Sequence, residues 1–174
     1  MRCRWCIAAG IALMVGAPAV ALSGAYNVAA TSEHTFPVYW LLHATMAQSV
    51  WLHSRGIEPP ALDDPAEIER GLALYRDNCA QCHGAPGVEP HAFALGLNPA
   101  PQNLVEPARR WTSAEIYWTV RHGVKMTGMP SWEARMSDQD LWSIVAFLKQ
   151  LPQMSPTDYR SRAGQLSAVN PDKP

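Results

Sequence analysis

Five residues near the middle of the chain constrain its fold more than any other stretch: Cys79-Ala80-Gln81-Cys82-His83. Two cysteines separated by two residues and followed directly by a histidine form the attachment pattern of c-type haem. In that pattern the two thiols bond to the vinyl groups of the porphyrin, and the imidazole of His83 is the proximal ligand of the iron. One helical turn brings both sulfurs and the ring nitrogen to one side of the macrocycle. We therefore expect the chain to fold around one covalent haem c.

Two other interpretations of the cysteine pair stay open. A Cys-x-x-Cys pair also occurs in thiol oxidoreductases, where no haem is present. A zinc site would need two further ligands at matched spacing. The only other cysteines are Cys3 and Cys6, close to the N-terminus. The pattern thus favours haem, and a test for covalent haem decides against the thiol alternative.

The segment 125–132 contains the candidate sixth ligand. Met129 lies between Gly128 and Pro130, in a constrained loop from which a thioether can point at a metal. Ligation by histidine and methionine together raises the reduction potential of haem iron. Met126 is the rival within the same loop, and we interpret it as a contact of the haem edge. Secondary contacts with the cofactor are predicted for Met126, Pro130 and Trp132.

Two further interactions with the cofactor are predicted between these motifs. A backbone carbonyl near Pro99 or Pro101 is expected to accept the Nδ1 proton of His83 and so fix the tautomer of the ring. The haem propionates need cationic or N–H partners, because they are anionic. The candidates for that role are Arg109, Arg110 and the indole of Trp111.

Local signals in the sequence predict where three helices begin. Asp64 followed by Pro65 is a helix start, and Gly71 within that helix predicts a close crossing with the last helix of the domain. Thr112 with Glu115 forms a capping box. Ser137 begins the last helix of the domain, which is apolar on more than one side. These signals predict an all-α domain.

The N-terminal residues resemble an export signal. Residues 1–25 contain two early arginines, an alanine-rich apolar run and an Ala-x-Ala cleavage pattern, so they are either a cleaved signal peptide or a membrane anchor. The formal net charge is -1, with 14 basic and 15 acidic residues. No basic stripe is present, which excludes a nucleic-acid-binding surface. We expect a periplasmic protein, either free or tethered to the inner membrane.

The regions on either side of the haem-binding part have separate interpretations. Residues 26–62 form a helical extension and linker, with a helix over 38–54 whose tryptophans pack on the body of the protein or on a partner. We interpret this helix as a docking arm, because Trp40, Leu41, Trp51 and Leu52 place apolar surface outside the main domain. Residues 153–174 are polar and are predicted to be a flexible C-terminal tail.

The order of the motifs, with CAQCH at 79–83, TGMP at 127–130 and an aromatic helix over 138–151, resembles the class I c-type cytochromes. The resemblance covers roughly residues 64–152, and we set the cytochrome domain at 63–152. It implies a small all-α fold around the haem, preceded here by an extra N-terminal helix. It also implies one-electron transfer rather than enzymatic catalysis. The expected partners are dehydrogenases, oxidases or other cytochromes. This chain is also a candidate subunit of a dehydrogenase or oxidase complex. The alternative is a haem sensor or peroxidase-like enzyme with a displaceable sixth ligand.

Overall fold

The computed structural model describes residues 2–169, without the side chains of residues 2–4, 8, 9, 13 and 166–169. The described residues are helical and contain no β-strand, so the predicted all-α class is confirmed. The α-helices are α1 (Arg2–Leu22), α2 (Phe36–His53), α3 (Pro65–Asn78), α4 (Ala80–His83), α5 (Val105–Arg110), α6 (Ser113–His122), α7 (Asp138–Gln150) and α8 (Pro156–Val169). Short 3-10 turns lie at Ala92–Gly96 and Leu151–Gln153.

The chain divides into two compact units, with the boundary between Glu33 and His34. The first unit contains α1. Its span Trp5–Leu22 has 18 residues and a mean hydropathy of 2.0, so it is long and apolar enough to cross a membrane. A signal sequence near the N-terminus has the same properties.

The second unit is built on the crossing of α3 and α7, as the glycine in α3 predicts. A Cβ atom added at Gly71 would lie 1.9 Å from the carbonyl oxygen of Ser143, so only glycine permits this approach. The rings of Tyr75 and Phe147 pack beside the crossing with their centroids 5.1 Å apart. Leu72, Tyr75, Phe147 and Leu141 are fully buried there. The crossing fixes the end of α3, from which the haem motif continues.

Side chains cap the helices at the predicted positions. Asp64 Oδ1 accepts a hydrogen bond from the N–H of Ala66 at 2.9 Å. Complete capping boxes begin α6 at Thr112 and α7 at Ser137. These caps satisfy N–H groups that have no partner inside their helices. The start of each helix is therefore set by local chemistry.

The N-terminal extension packs on the rest of the second unit through one face of α2. Val50 is only 3 % exposed and Ser54 is 7 % exposed. The imidazole of His53 stacks on the indole of Trp118 in α6, with ring centroids 5.5 Å apart. The opposite face of α2 is exposed, as the sequence predicts for an arm with apolar surface.

The structure has a helix where the sequence predicts a flexible tail. Helix α8 covers Pro156–Val169, and Tyr159 is only 3 % exposed against the core. The guanidinium of Arg162 donates to Glu69 Oε1 at 2.6 Å, which ties α8 to α3. One buried aromatic ring and one ion pair anchor a segment whose composition is otherwise polar. The last part of the predicted tail, residues 170–174, lies outside the described residues.

Candidate haem site

Helix α3 ends at the attachment motif. Cys79 follows its last residue, and the N–H of Cys79 still donates to the carbonyl oxygen of Tyr75 at 2.8 Å. The short helix α4 then contains Cys82 and His83. Neither Cys79 nor Cys82 forms a disulfide within the described residues. The buried hydroxyl of Tyr75 donates to the carbonyl oxygen of Gly84 at 2.7 Å, which fastens the end of the motif to the core.

The environment of Cys79 differs from that of a redox-active thiol. Cys79 packs against the hydrophobic core, and burial raises the pKa of its thiol to about 12, with the charge of Cys82 as the second cause. Reactive cysteines of oxidoreductases instead have lowered pKa values, because the thiolate is the nucleophile. The buried Cys79 thiol thus lacks the lowered pKa of such a nucleophile.

The imidazole of His83 is oriented by a backbone carbonyl. Its Nδ1 atom lies 2.8 Å from the carbonyl oxygen of Gln102. Because that oxygen can only accept, Nδ1 carries the proton and Nε2 keeps its lone pair for a metal. Burial lowers the pKa of His83, while the hydrogen bond to Gln102 opposes this effect. The sequence predicted a carbonyl near Pro99 or Pro101, and the acceptor is the residue that follows Pro101.

A cavity of about 110 Å³ lies beside His83. Met129 lines the same cavity, so the two predicted axial ligands face one space. The walls are mostly apolar and come from α5, α6, α7 and the loops between them: Leu104, Pro107, Ala108, Ile116, Val120, Val124 and Leu148.

The loop that presents Met129 is closed by its own hydrogen bonds. The N–H of Val124 donates to the carbonyl oxygen of Met129 at 3.2 Å. The hydroxyl of Thr127 donates to the carbonyl oxygen of Val124 at 2.7 Å and accepts from the N–H of Met129 at 3.1 Å. A Cβ atom at Gly123, where φ is +68°, would lie 2.6 Å from the carbonyl carbon of Pro130. The loop therefore holds its methionine in one place.

The secondary candidates separate into two groups. Trp111 lines the cavity, and its pairing with a propionate stays a prediction. Met126 is 79 % exposed with φ at +62°, and the structure does not bring it to the cavity. The exposed Arg109 contacts the carbonyl oxygen of Pro152 at 3.3 Å and Glu106 at 3.6 Å. The remaining candidates are away from the cavity lining: Arg110 and Pro130 are exposed, and Trp132 is half-buried against the core.

Two residues that the sequence did not point to also line the cavity. Thr119 is 8 % exposed, and its hydroxyl is a buried side-chain oxygen without a hydrogen-bond partner in the described part of the chain. Met46 reaches the cavity from α2, outside the predicted cytochrome domain. Both residues sit within regular helical patterns, so no local signal distinguishes them from core residues.

The donors of the cavity fit a c-type haem. Cys79 and Cys82 precede His83 in the chain, the thioether of Met129 lines the same cavity as His83, and the unpartnered hydroxyl of Thr119 offers a hydrogen bond to a polar group in a mostly apolar space. Soft thioether and imidazole ligands suit haem iron. No group of three or more His, Cys, Asp or Glu residues within the described chain could hold a metal ion by itself.

The comparisons with known proteins agree with this chemistry. Residues 66–148 match the protein family described as cytochrome c oxidase, cbb3-type, subunit III. The chain is 29 % identical over 86 residues to a quinohemoprotein alcohol dehydrogenase of Comamonas testosteroni. It is 30 % identical over 94 residues to a cbb3-type cytochrome c oxidase subunit CcoP of Azospirillum brasilense, and 29 % identical over 96 residues to that of Azospirillum sp. (strain B510). Residues 66–148 are thus similar to a cytochrome c-type domain, a kind of domain that implies haem c.

These matches cover only part of each protein. They include 49 % of this chain for the dehydrogenase and 51 % for each oxidase subunit. They span 11 % of the dehydrogenase and 30 % of each oxidase subunit. The matched family region ends before α8 and begins after α2.

Proposed function

We propose that this chain is a one-electron carrier with a single covalent haem c. Cys79 and Cys82 form the thioether bonds, and His83 and Met129 are the axial ligands. The bound haem supplies an iron that takes up and releases one electron. The chain itself supplies the imidazole, the thioether and a mostly apolar cavity.

The observation that carries this proposal is that His83 and Met129 line one cavity. His83 directly follows the second attachment cysteine, Cys82. If His83 and Met129 both bound the iron, no coordination site would be left for a substrate. That arrangement favours electron transfer over the sensor or peroxidase-like alternative. The Nδ1 hydrogen bond to Gln102 supports the role of His83, because metal-bound histidines are held by their second nitrogen in this way.

We propose a redox protein as the partner of the outer face of α2. Trp40 and Leu41 are 62 % and 59 % exposed, and Trp51 and Leu52 are 48 % and 53 % exposed. Helix α2 contains no Asp, Glu, Lys or Arg. Its inner face reaches the cavity, so a protein bound to the outer face lies about one helix diameter, 10–12 Å, from the cofactor. Residues 38–54 thus act as a docking arm.

The electron donors and acceptors we propose are dehydrogenases, oxidases or other cytochromes. The matched relatives are a dehydrogenase and oxidase subunits, which supports that choice. We also propose a periplasmic location, with the span Trp5–Leu22 serving either as export signal or as anchor in the inner membrane. Export supports the haem assignment, because covalent attachment takes place on the outer side of that membrane.

The test begins with the mature protein. We expect a pyridine haemochrome spectrum and a mass increase of one haem, together with a low-spin ferric spectrum that includes the methionine–iron charge-transfer band. A variant with both Cys79→Ala and Cys82→Ala should lose the covalent mass. Absence of haem from the wild-type protein would overturn the proposal. Rapid binding of carbon monoxide or peroxide turnover by the resting protein would favour the sensor or enzyme alternative instead.

The docking arm has its own test. A variant with both Trp40→Ala and Leu41→Ala should be reduced more slowly by the native donor at an unchanged midpoint potential, because only the contact surface changes. An unchanged rate of reduction would contradict the docking role.

A further inference from the structure

Helix α2 presents a continuous inner face to the rest of its unit. Met46, Val50 and His53 are spaced at i, i+4 and i+7, which places them on one side of a helix. Val50 is buried, and His53 stacks on Trp118. The Nδ1 atom of His53 lies 2.8 Å from the carbonyl oxygen of Ser49, which holds the ring in position for this stack. The extension is thus fixed on α6 at its C-terminal end.

Met46 lies further toward the N-terminus of this inner face, and it lines the same cavity as His83 and Met129. The family match begins at residue 66, so this part of the wall comes from outside the matched domain. Thr119, from α6, lines the cavity as well. The extension therefore contributes to the cofactor site as well as to an outer surface.

We infer that α2 is a permanent wall of the haem cavity and that Met46 excludes water from the haem, which raises the midpoint potential. This inference rests on the proposed function. Ferric haem carries one more positive charge than ferrous haem, so an apolar, water-free surrounding disfavours the ferric state. The apolar shell of a metal site sets its potential through solvent access and local dielectric. Met46 acts in this inference as part of the cavity wall, while Met129 remains the proposed ligand of the iron.

The test compares two substitutions of Met46. Met46→Gln keeps the length of the side chain but brings a polar amide into the wall, while Met46→Leu keeps the wall apolar. We expect Met46→Gln to lower the midpoint potential and to bind imidazole or cyanide severalfold faster in the ferric state. Met46→Leu should stay close to wild type in both measurements. The exposed Thr45→Gln variant, one residue away on the same helix, is the control and should match wild type.

A variant outside the cavity covers the case in which Met46→Gln fails to mature. His53→Ala removes the stacking on Trp118 and loosens α2 without altering any residue of the cavity. It should shift the potential in the same direction by a smaller amount and speed ligand binding. Unchanged potential and ligand binding in both Met46→Gln and His53→Ala would overturn the inference.

Two other outcomes separate this inference from the proposed function. If Met46→Leu loses the methionine–iron charge-transfer band, then Met46 is itself the ligand and the inference is wrong. If the wild-type protein carries no haem, the proposed function fails. If haem content and spectrum are normal while Met46→Gln and His53→Ala both keep the wild-type potential and ligand binding, only the inference about α2 is overturned.

Discussion

The hydroxyl of Tyr75 donates a 2.7 Å hydrogen bond to the carbonyl oxygen of Gly84, across the full length of the attachment motif. Tyr75 is completely buried on α3, and Gly84 directly follows His83. Burial raises the pKa of Tyr75, so the phenol is protonated at neutral pH and can donate this bond. The bond ties the residue after the motif to the core.

Tyr75→Phe should destabilise the protein while leaving haem attachment intact. The substitution removes the donor and leaves the buried carbonyl of Gly84 without its partner, which costs about 1–3 kcal/mol. Chemical denaturation of the haem-loaded protein gives the free energy of unfolding. An unchanged free energy would mean that water replaces the phenol at Gly84.

Met129→Ala should abolish the methionine–iron charge-transfer band and lower the midpoint potential, because a strong-field thioether ligand is lost. Met126→Ala is the matched control, since Met126 is 79 % exposed and does not line the cavity. Visible spectroscopy and a redox titration measure both effects. The assignment fails if Met129→Ala keeps the spectrum and potential, or if Met126→Ala alone loses them.

Gly71→Ala should destabilise the fold by at least about 2 kcal/mol, because overpacking a tight contact forces backbone shifts. The new Cβ atom would lie 1.9 Å from the backbone oxygen of Ser143 and 2.9 Å from Cβ of Phe147. The control is Gly164→Ala in α8, where no atom lies within 4 Å of the new Cβ. Alanine is the better helix former by about 1 kcal/mol, so this control should not lose stability.

Equal free energies of unfolding for Gly71→Ala and Gly164→Ala would contradict the close crossing of α3 and α7. Urea titrations of both variants, each with its haem attached, make the comparison.

Tyr159→Ala should cost about 3 kcal/mol of stability, as is typical for removing a buried aromatic ring. Tyr159 is 3 % exposed, and its ring lies 6.5 Å from that of Phe147. Gln165→Ala, at an exposed position of the same helix, should have little effect. Thermal or urea unfolding tests the pair. A loss below about 0.5 kcal/mol for Tyr159→Ala would restore the flexible tail that the sequence predicts.

Stability should depend on pH through Glu67. Hydrogen bonds from Ser143 Oγ and, at 2.8 Å, from Gln139 lower the pKa of this carboxyl below 4.5. A carboxyl with a lowered pKa in the folded state stabilises the protein above its unfolded pKa, and this contribution is lost as the pH falls through the folded value. Glu67→Gln should therefore be less stable than wild type at pH 7, with a smaller difference below pH 4.5.

Urea unfolding at the two pH values measures this difference. Glu89→Gln, at an exposed position, is the control and should follow the wild-type protein at both. A Glu67→Gln deficit that stays constant with pH would rule out the carboxylate as the source of the dependence.

Local chemistry explains which features the sequence could predict. Capping boxes at Thr112 and Ser137, and the glycine at 71, are short-range signals with one structural meaning, and the structure has each of them. The CAQCH motif likewise predicts a cofactor site, and a cavity lies beside it. Such features depend on residues that are neighbours in the chain.

Long-range packing explains which features could not be predicted from the sequence. Met46 reaches the cavity because α2 packs on α6, and no neighbouring residue marks Met46 or Thr119 as part of the lining. The acceptor for His83 is a backbone carbonyl, a group that every residue has. The polar composition of residues 153–174 predicts a flexible tail. The structure has a helix over Pro156–Val169, in which Tyr159 is buried.

The hydrogen bonds that close residues 124–129 have a consequence for the rate of charge exchange. Ordering a residue's backbone costs about 1–2 kcal/mol of conformational entropy. In residues 124–129 the polypeptide itself supplies this order, because Val124, Thr127 and Met129 are hydrogen-bonded to one another. A thioether pre-organised in this way has little freedom to relax when the charge beside it changes. Gain and loss of an electron would then require little reorganisation of the protein, which is the condition for fast transfer in both directions.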